Sequence, residues 1–240
     1  MHEVSFLPPF ISTRSQVKVL GWLLIVTAGV SWTAVGVDWA LLHLADEVRA
    51  GFEVTRAERL AHTRTASALS AAQWICTLIT GGLFLAWLYQ CRVNVRALGA
   101  RSLRWRREWT LIAFFIPILN ALRPYQVVRE VWQASDPSSG DPVGWQRVQV
   151  PSLLSWWWGS FVVFLACELV AWTILLGIDT GGERRLAYSL RAIADASAAI
   201  SASLAYFVVQ KITDAQERKR AVLGRAPQPV ELDPRDAIAS

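Results

Sequence analysis

Four long apolar runs limit the folds open to this 240-residue chain more than any other feature of its sequence. A helix needs roughly 20 apolar residues to cross the hydrocarbon core of a bilayer, and lipid offers no partners for unpaired backbone groups, so such runs form helices. The runs are residues 17–37, 66–88, 152–178 and 186–209. The sequence therefore predicts an all-α integral membrane protein with four transmembrane helices, arranged as a single domain over residues 1–223.

The composition and the placement of charge agree with a membrane location. Hydrophobic residues make up 53% of the chain and charged residues 18%, below the roughly 25% that is typical of soluble domains. The net charge of +5 raises nucleic acid as a partner, but the arginines stand beside the apolar runs, where they orient membrane proteins. The lipid bilayer is therefore the predicted partner, and sequence-specific nucleic-acid binding is not predicted.

A fifth apolar segment, Trp109–Leu122, is too short to span by the same standard. It holds 14 residues, and apolar stretches of about 10–14 residues are more often re-entrant, interfacial or buried. Pro117 also removes a helical hydrogen bond, which is tolerated at membrane depth only against protein or water. Pro124 then opens an amphipathic helix. We therefore predict a short, Pro-broken re-entrant segment followed by a cytoplasmic interfacial helix, together covering residues 109–134.

The distribution of Lys and Arg predicts the orientation of the chain. If Trp109–Leu122 does not cross, 17 of the 24 basic residues fall on the side of both termini and the loop Arg92–Val150, six fall on the opposite side, and Arg191 lies within a span. The side richer in Lys and Arg faces the cytoplasm. Both termini are therefore predicted to be cytoplasmic. The external loop Asp38–Thr65 is predicted to form either a short extramembrane helix or a helical extension of the first two spans, and the tail 224–240 is predicted to be disordered.

Ionisable side chains inside the predicted spans are the sharpest functional signal, since burying a charge in lipid is costly unless it is paired or hydrated. At 1.5 Å per residue, three polar groups on three spans lie at one level, roughly 4 to 6 Å outside the bilayer midplane. Arg191 can pair with Asp195 or with Glu168. Two interpretations stay open: a structural ion pair, or a polar ring around a water-filled path in an oligomer. The pore and selectivity candidates are Gln73, Glu168, Arg191, Asp195, Ser197 and Ser201.

A second group of polar residues gathers on the predicted cytoplasmic face. These side chains either hold the broken backbone around Pro117 in place or bind a lipid headgroup, a nucleotide or another anionic ligand. In the structural interpretation, Arg123 pairs with Glu130 or with a lipid phosphate. The group comprises Asn94, Arg96, Asn120, Arg123, Tyr125, Gln126 and Glu130.

Three short stretches of the sequence resemble a known family. NVRALGA at Asn94–Ala100, PILNALRPYQ at Pro117–Gln126 and PSLLSWWW at Pro151–Trp158 are similar to the domain-of-unknown-function family forty-three twenty-eight. The resemblance covers roughly Leu20–Leu176, and NALRPYQ is its most specific part. It implies a bacterial multi-spanning membrane protein with a recurring cytoplasmic signature, and it implies no agreed activity, cofactor or catalytic residue. The predicted location is therefore the bacterial inner membrane.

The sequence favours a membrane channel over an enzyme. None of the three histidines lies in a span, and no HExxH or GxSxG motif occurs. No metal site, cofactor or catalytic residue is predicted, although Glu168 and Asp195 leave an intramembrane hydrolase open. The favoured function is a homo-oligomeric channel or pore-forming effector, gated and used in bacterial stress or phage defence. The alternative is a non-conducting scaffold or sensor that recruits a cytoplasmic protein through its arginine-rich face.

Overall fold

Helices account for all regular secondary structure in the residues that the computed structural model describes, which are 9–53, 55–104, 123–139, 143–177 and 181–225. Five are α-helices: α1 (Arg14–Arg49), α2 (Arg56–Ala97), α3 (Arg123–Ser135), α4 (Ser152–Gly177) and α5 (Gly181–Arg225). A 3₁₀ turn, Gly144–Arg147, lies between α3 and α4. Helices α1, α2, α4 and α5 are each long and apolar enough to cross a membrane, which confirms the predicted all-α fold with four candidate spans.

Helices α1 and α2 extend beyond the predicted spans, and only six residues, 50–55, separate them. Gly51 has a φ of +86°, a left-handed conformation that glycine adopts without a Cβ clash. Thr55 begins α2 with a capping box: its hydroxyl accepts from the Glu58 backbone N–H at 3.2 Å, and its own backbone N–H donates to the Glu58 carboxylate at 3.1 Å. The predicted loop Asp38–Thr65 is therefore mostly a helical extension of α1 and α2.

Helix α5 is the central element of the bundle. It packs more extensively against α1 and α4 than against the other helices, and α1 packs in turn against α2. Ala194 and Ala202 of α5 are buried at these contacts, where small side chains let helix backbones approach closely. Aromatic rings bridge α2 and α4, as in Phe84 and Trp157, whose ring centroids lie 5.6 Å apart. This packing brings side chains from all four long helices to the interior of the bundle.

One end of the bundle, called the α3 end below, gathers several parts of the chain. Asn94 near the end of α2 donates to the Ile11 carbonyl at 2.7 Å and accepts from the Ile11 N–H at 3.1 Å. The hydroxyls of Tyr125 in α3 and Ser155 in α4 lie 3.1 Å apart. Helix α3 also contacts α2 and the last turns of α5. The chain therefore leaves α2 and enters α3 at the same end of the bundle.

Helix α3 is more enclosed than the predicted interfacial helix. Val127, Val128 and Val131 belong to the core, and Glu130 is also buried. The part of the predicted re-entrant segment before Arg123 lies outside the described residues. Helix α5 continues to Arg225, so the first two residues of the predicted disordered tail are helical, and the rest of that tail lies outside the described residues.

Candidate functional site

Polar side chains from all four long helices meet in the interior of the bundle. Four of them are almost inaccessible: Asp38 is 2% exposed, Gln73 5%, Glu168 6% and Asp195 1%. Polar groups buried among apolar helices cost free energy unless they are hydrogen-bonded or paired. The set, called the polar cluster below, comprises Ser31, Asp38, Ser70, Gln73, Glu168, Arg191 and Asp195.

Arg191 supplies the positive charge of the polar cluster. Its Nε lies 3.6 Å from Oδ1 of Asp38 on α1. Its guanidinium also donates a hydrogen bond to the hydroxyl of Ser70 on α2 and interacts electrostatically with Glu168 on α4. One guanidinium therefore connects α5 to the three other long helices, and it stands among three carboxyl groups.

Gln73 organises the other half of the polar cluster. Its Nε2 donates to Oδ1 of Asp195 at 2.7 Å and to Oγ of Ser31 at 3.1 Å. Three buried carboxylate oxygens have no hydrogen-bond partner within the described part of the chain: Oδ2 of Asp38, Oε2 of Glu168 and Oδ2 of Asp195. An unsatisfied buried acceptor costs about 1–3 kcal/mol, and more when it is charged. The polar cluster thus has spare capacity to bind a cation or a proton.

Hydroxyl groups next to the polar cluster extend it toward the middle of the bundle, so that the polar side chains form a column. The Thr27 and Thr80 hydroxyls lie 3.0 Å apart, and Ser201 of α5 donates to the Trp157 carbonyl at 3.3 Å. These three hydroxyls line a cavity of about 440 Å³ to which all four long helices contribute, and its walls are otherwise mostly apolar and aromatic. The large apolar core lies beyond the cavity, toward the α3 end. The polar column therefore reaches from Asp38 to the cavity, where the apolar core begins.

The structure brings together four of the six pore candidates. Gln73, Glu168, Arg191 and Asp195 belong to the polar cluster, Ser201 lines the cavity, and Ser197 is half-buried on α5. The ion pair that Arg191 makes differs from the predicted ones, because its guanidinium lies closest to Asp38 rather than pairing with Asp195 or Glu168.

Asp38, Ser31 and Ser70 are members of the polar cluster that sequence reasoning misses. Asp38 directly follows an apolar run, and a charge in that position indicates the end of a span, whereas α1 continues to Arg49. A signal was present, since Ser31 and Asp38 are seven residues apart and therefore lie two turns apart on one face of a helix.

A buried ion pair fixes α3 against α2. NH1 of Arg92 lies 2.9 Å from Oε2 of Glu130, and the two side chains are 0% and 6% exposed. The backbone N–H of Arg104 also donates to the Glu130 carboxylate. The carboxylate that was a candidate for ligand or lipid contact is thus engaged inside the protein.

Lys219 fixes the last turns of α5 to the end of α3. Its Nζ donates to the Ala134 carbonyl at 2.9 Å and to the Ser139 hydroxyl at 2.7 Å. Burial lowers the pKa of Lys219, and the nearby Asp136 carboxylate raises it. Lys219 lies beyond the apolar run of α5, so these contacts belong to the α3 end and not to the polar cluster.

The predicted cytoplasmic group divides into packing residues and more accessible ones. Asn94 and Glu130 are buried and hydrogen-bonded or paired inside the protein. The other members are Arg96, which is exposed, Arg123, Tyr125 and Gln126, which are half-buried, and Asn120, which lies outside the described residues. The buried members hold the α3 end together, and an exposed arginine remains on its surface.

Four helices long and apolar enough to cross a membrane, packed around buried charged groups, indicate a helical membrane protein. The sequence profile of a family described as a domain of unknown function (DUF4328) matches residues 51–214, and the chain belongs to that family. The match confirms the resemblance but begins and ends later than the predicted Leu20–Leu176, so it includes much of α5 and not α1. No curated protein and no solved structure is significantly similar to the chain.

Proposed function

We propose that the protein is a cation-conducting membrane channel whose ion-binding level is the polar cluster. The proposal rests on three buried carboxyl groups, those of Asp38, Glu168 and Asp195, with a single guanidinium among them. Ionisable groups inside a membrane usually mark an ion or proton path, and acidic groups favour cations over anions. The polar cluster has the charge and the spare oxygen atoms that a cation site requires.

The ion-binding level of this channel lies within one protomer. The carboxyl groups of the polar cluster face the interior of the bundle, so each copy carries its own site in place of a ring around an oligomer axis. Homo-oligomeric assembly stays part of the proposal, and exposed Trp22, Trp32 and Trp156 offer apolar surface to another copy or to lipid. The mass of the detergent-solubilised complex measures how many copies assemble. A gated role in bacterial stress or phage defence stays a prediction.

The proposal includes the bacterial inner membrane, with both termini in the cytoplasm. The excess of basic residues on the side of the termini supports this orientation. Helix α2 ends and helix α3 begins at the same end of the bundle. This supports a re-entrant path for 109–122 that does not cross the membrane. Helix α3 then lies at the cytoplasmic interface, with its valines packed on the bundle and Arg129 exposed.

Cysteine labelling in intact cells tests this orientation. In a background without Cys76, Cys91 and Cys167, we expect Glu53→Cys to react with a membrane-impermeant thiol reagent, because the α1–α2 turn faces outward. We expect Ser138→Cys to react only after the membrane is permeabilised. Both positions are exposed, so access to the reagent depends on the side of the membrane alone.

Arg218→Cys on α5 is the matched control, because its side chain is exposed near the α3 end. It is expected to behave like Ser138→Cys. Labelling of Ser138→Cys and Arg218→Cys from outside, with Glu53→Cys protected, contradicts the orientation. Labelling of Glu53→Cys, Ser138→Cys and Arg218→Cys alike from outside contradicts the non-crossing path of 109–122, because one more crossing between α2 and α3 puts all three positions on one side of the membrane.

Single-channel recording tests the function itself. Purified protein in planar bilayers is expected to carry a current in which cations outweigh anions, because the polar cluster holds more carboxyl groups than guanidinium groups. Voltage, acid pH and membrane tension are the triggers to apply. An assembled protein that stays silent under all three contradicts the channel and favours the second candidate function.

The second candidate is a non-conducting scaffold or sensor, and it is favoured by the exposed arginines near the α3 end. Arg96, Arg101, Arg104 and Arg129 are all exposed there. Such a surface attracts a cytoplasmic protein with an acidic face or anionic lipid headgroups. This function leaves the polar cluster as a structural element only, so the conductance measurement separates the two candidates.

A further inference from the structure

We infer that the cation bound by the polar cluster is the proton: Asp38 and Asp195 share one proton, and Glu168 holds a second. The inference rests on the proposed function, since it names the cation of the same site. The polar cluster is then a titrating centre inside the bundle, which takes up a proton from water and releases it again.

The balance of charge is the first argument. Three ionised carboxylates and one guanidinium carry a net charge of −2, all of it in a region with little access to solvent. Each uncompensated ion in such a setting costs several kcal/mol, and buried carboxyl groups are usually neutralised by a proton instead. Two protons bring the net charge of the polar cluster to zero.

The contact between two carboxyl groups is the second argument. Asp38 on α1 and Asp195 on α5 are neighbours in the polar cluster: Oδ1 of Asp38 lies 3.6 Å from Nε of Arg191, which stands one helical turn from Asp195, and the two carboxyl groups interact with each other. Two carboxylates so close repel unless one of them is protonated, and a shared proton turns the repulsion into a hydrogen bond. Oδ2 of each residue has no other partner in the described part of the chain. One proton between the two side chains supplies the missing hydrogen bond.

The arrangement of donors is the third argument, because it suits a proton better than a metal ion. Gln73 donates a hydrogen bond to Oδ1 of Asp195, and the guanidinium of Arg191 lies 3.6 Å from Oδ1 of Asp38, so both carboxyl groups already face a donor or a positive charge. Hard cations need about six or more oxygen ligands, whereas a proton needs one. Among the described residues, no three His, Cys, Asp or Glu side chains have the spacing to hold a metal ion.

The charged groups around Asp38 determine how readily its carboxyl group gains or loses a proton. Arg191 and Asp195 face it from α5, and Glu168 faces it from α4. Uptake forms an O–H bond on one carboxylate with a proton from hydronium, and release breaks that bond and returns the proton to water, with no change of oxidation state. Arg191 stabilises the deprotonated form, so that one carboxylate can ionise without leaving the polar cluster far from neutrality.

Infrared spectroscopy of the whole protein in lipid nanodiscs tests the inference. The carbonyl stretch of protonated carboxylic acids is expected in the wild type at neutral pH, and it is expected to disappear as the pH becomes alkaline. Asp38→Asn and Asp195→Asn are each expected to lose the part of the carbonyl band that comes from the shared proton. Glu168→Gln is expected to lose the part that comes from the second proton. Asp214→Asn, an exposed position on α5, is expected to leave the spectrum unchanged.

Two results overturn the inference: a wild-type spectrum without protonated carboxylic acids at neutral pH, or carboxylate bands that shift when sodium or potassium is exchanged for choline. The wild-type titration does not depend on whether a variant folds. The spectrum is recorded without ion flux, so a silent protein that shows the carboxylic acid bands contradicts the channel and supports the proton site. A conducting protein without those bands supports the channel and contradicts the inference that the polar cluster binds protons.

Discussion

Glu130→Ala is expected to lower the free energy of unfolding by about 3–5 kcal/mol, the usual cost of removing one partner from a buried ion pair. The substitution removes the carboxylate that lies 2.9 Å from NH1 of Arg92 and balances the charge of this guanidinium, whose side chain is 0% exposed. Arginine does not lose its proton inside proteins, so this charge cannot be neutralised. Denaturant unfolding in detergent, followed by the fluorescence of the tryptophans, measures the loss.

Two further variants isolate the ion pair as the cause. Arg129→Ala changes an exposed neighbour on α3 and is expected to stay within about 0.5 kcal/mol of the wild type. The double variant Arg92→Leu/Glu130→Leu is expected to recover much of the stability, because it buries no charge. If Glu130→Ala proves as stable as Arg129→Ala, the pair does not hold α3 in place.

Asp195→Asn is expected to lower cation flux into liposomes at least about tenfold while the protein stays folded. Asp195 shares one negative charge with Asp38, and half a unit charge about 4 Å from an ion contributes roughly 2 kcal/mol at an effective dielectric constant of 20. A difference of about 1.4 kcal/mol already corresponds to a tenfold change. Asparagine keeps the oxygen that accepts from Gln73 at 2.7 Å in the wild type. Dyes sensitive to pH and to alkali cations inside the liposomes measure the flux.

Asp214→Asn is the control for this experiment, since it makes the same substitution at an exposed position of the same helix. Its flux is expected to match the wild type. Size-exclusion profiles of both variants report whether the protein is assembled. Equal flux through Asp195→Asn and the wild type means that ions pass elsewhere, and the polar cluster is then a structural ion-pair network.

The four candidate spans could be predicted because apolar runs of this length have few folded alternatives. Their helical ends could not, since hydropathy measures how apolar a segment is and not where its backbone hydrogen bonds end. Helix α1 begins at Arg14 and ends at Arg49, well beyond the apolar run 17–37. For the same reason hydropathy did not place Asp38 inside α1, because its charge ends the apolar run although the helix continues.

The polar cluster was partly predictable for a geometric reason. The rise per residue placed Gln73 and Asp195 at one level, and their side chains are hydrogen-bonded in the structure. Which carboxylate faces Arg191 depends on the rotation of each helix about its axis. The depth of a residue in the membrane does not determine that rotation. The Arg92–Glu130 pair was missed because it depends on the path of the chain between α2 and α3.

The reversal potential in planar bilayers tests most directly whether the polar cluster selects the ions that pass. With concentrated potassium chloride and acid on one side, protons and potassium ions drive the potential in one direction and chloride drives it in the other. The wild type is expected to reverse on the cation side, and Asp195→Asn is expected to shift toward zero. A wild type that reverses on the chloride side, or a potential that Asp195→Asn leaves unchanged, would contradict the role of the polar cluster.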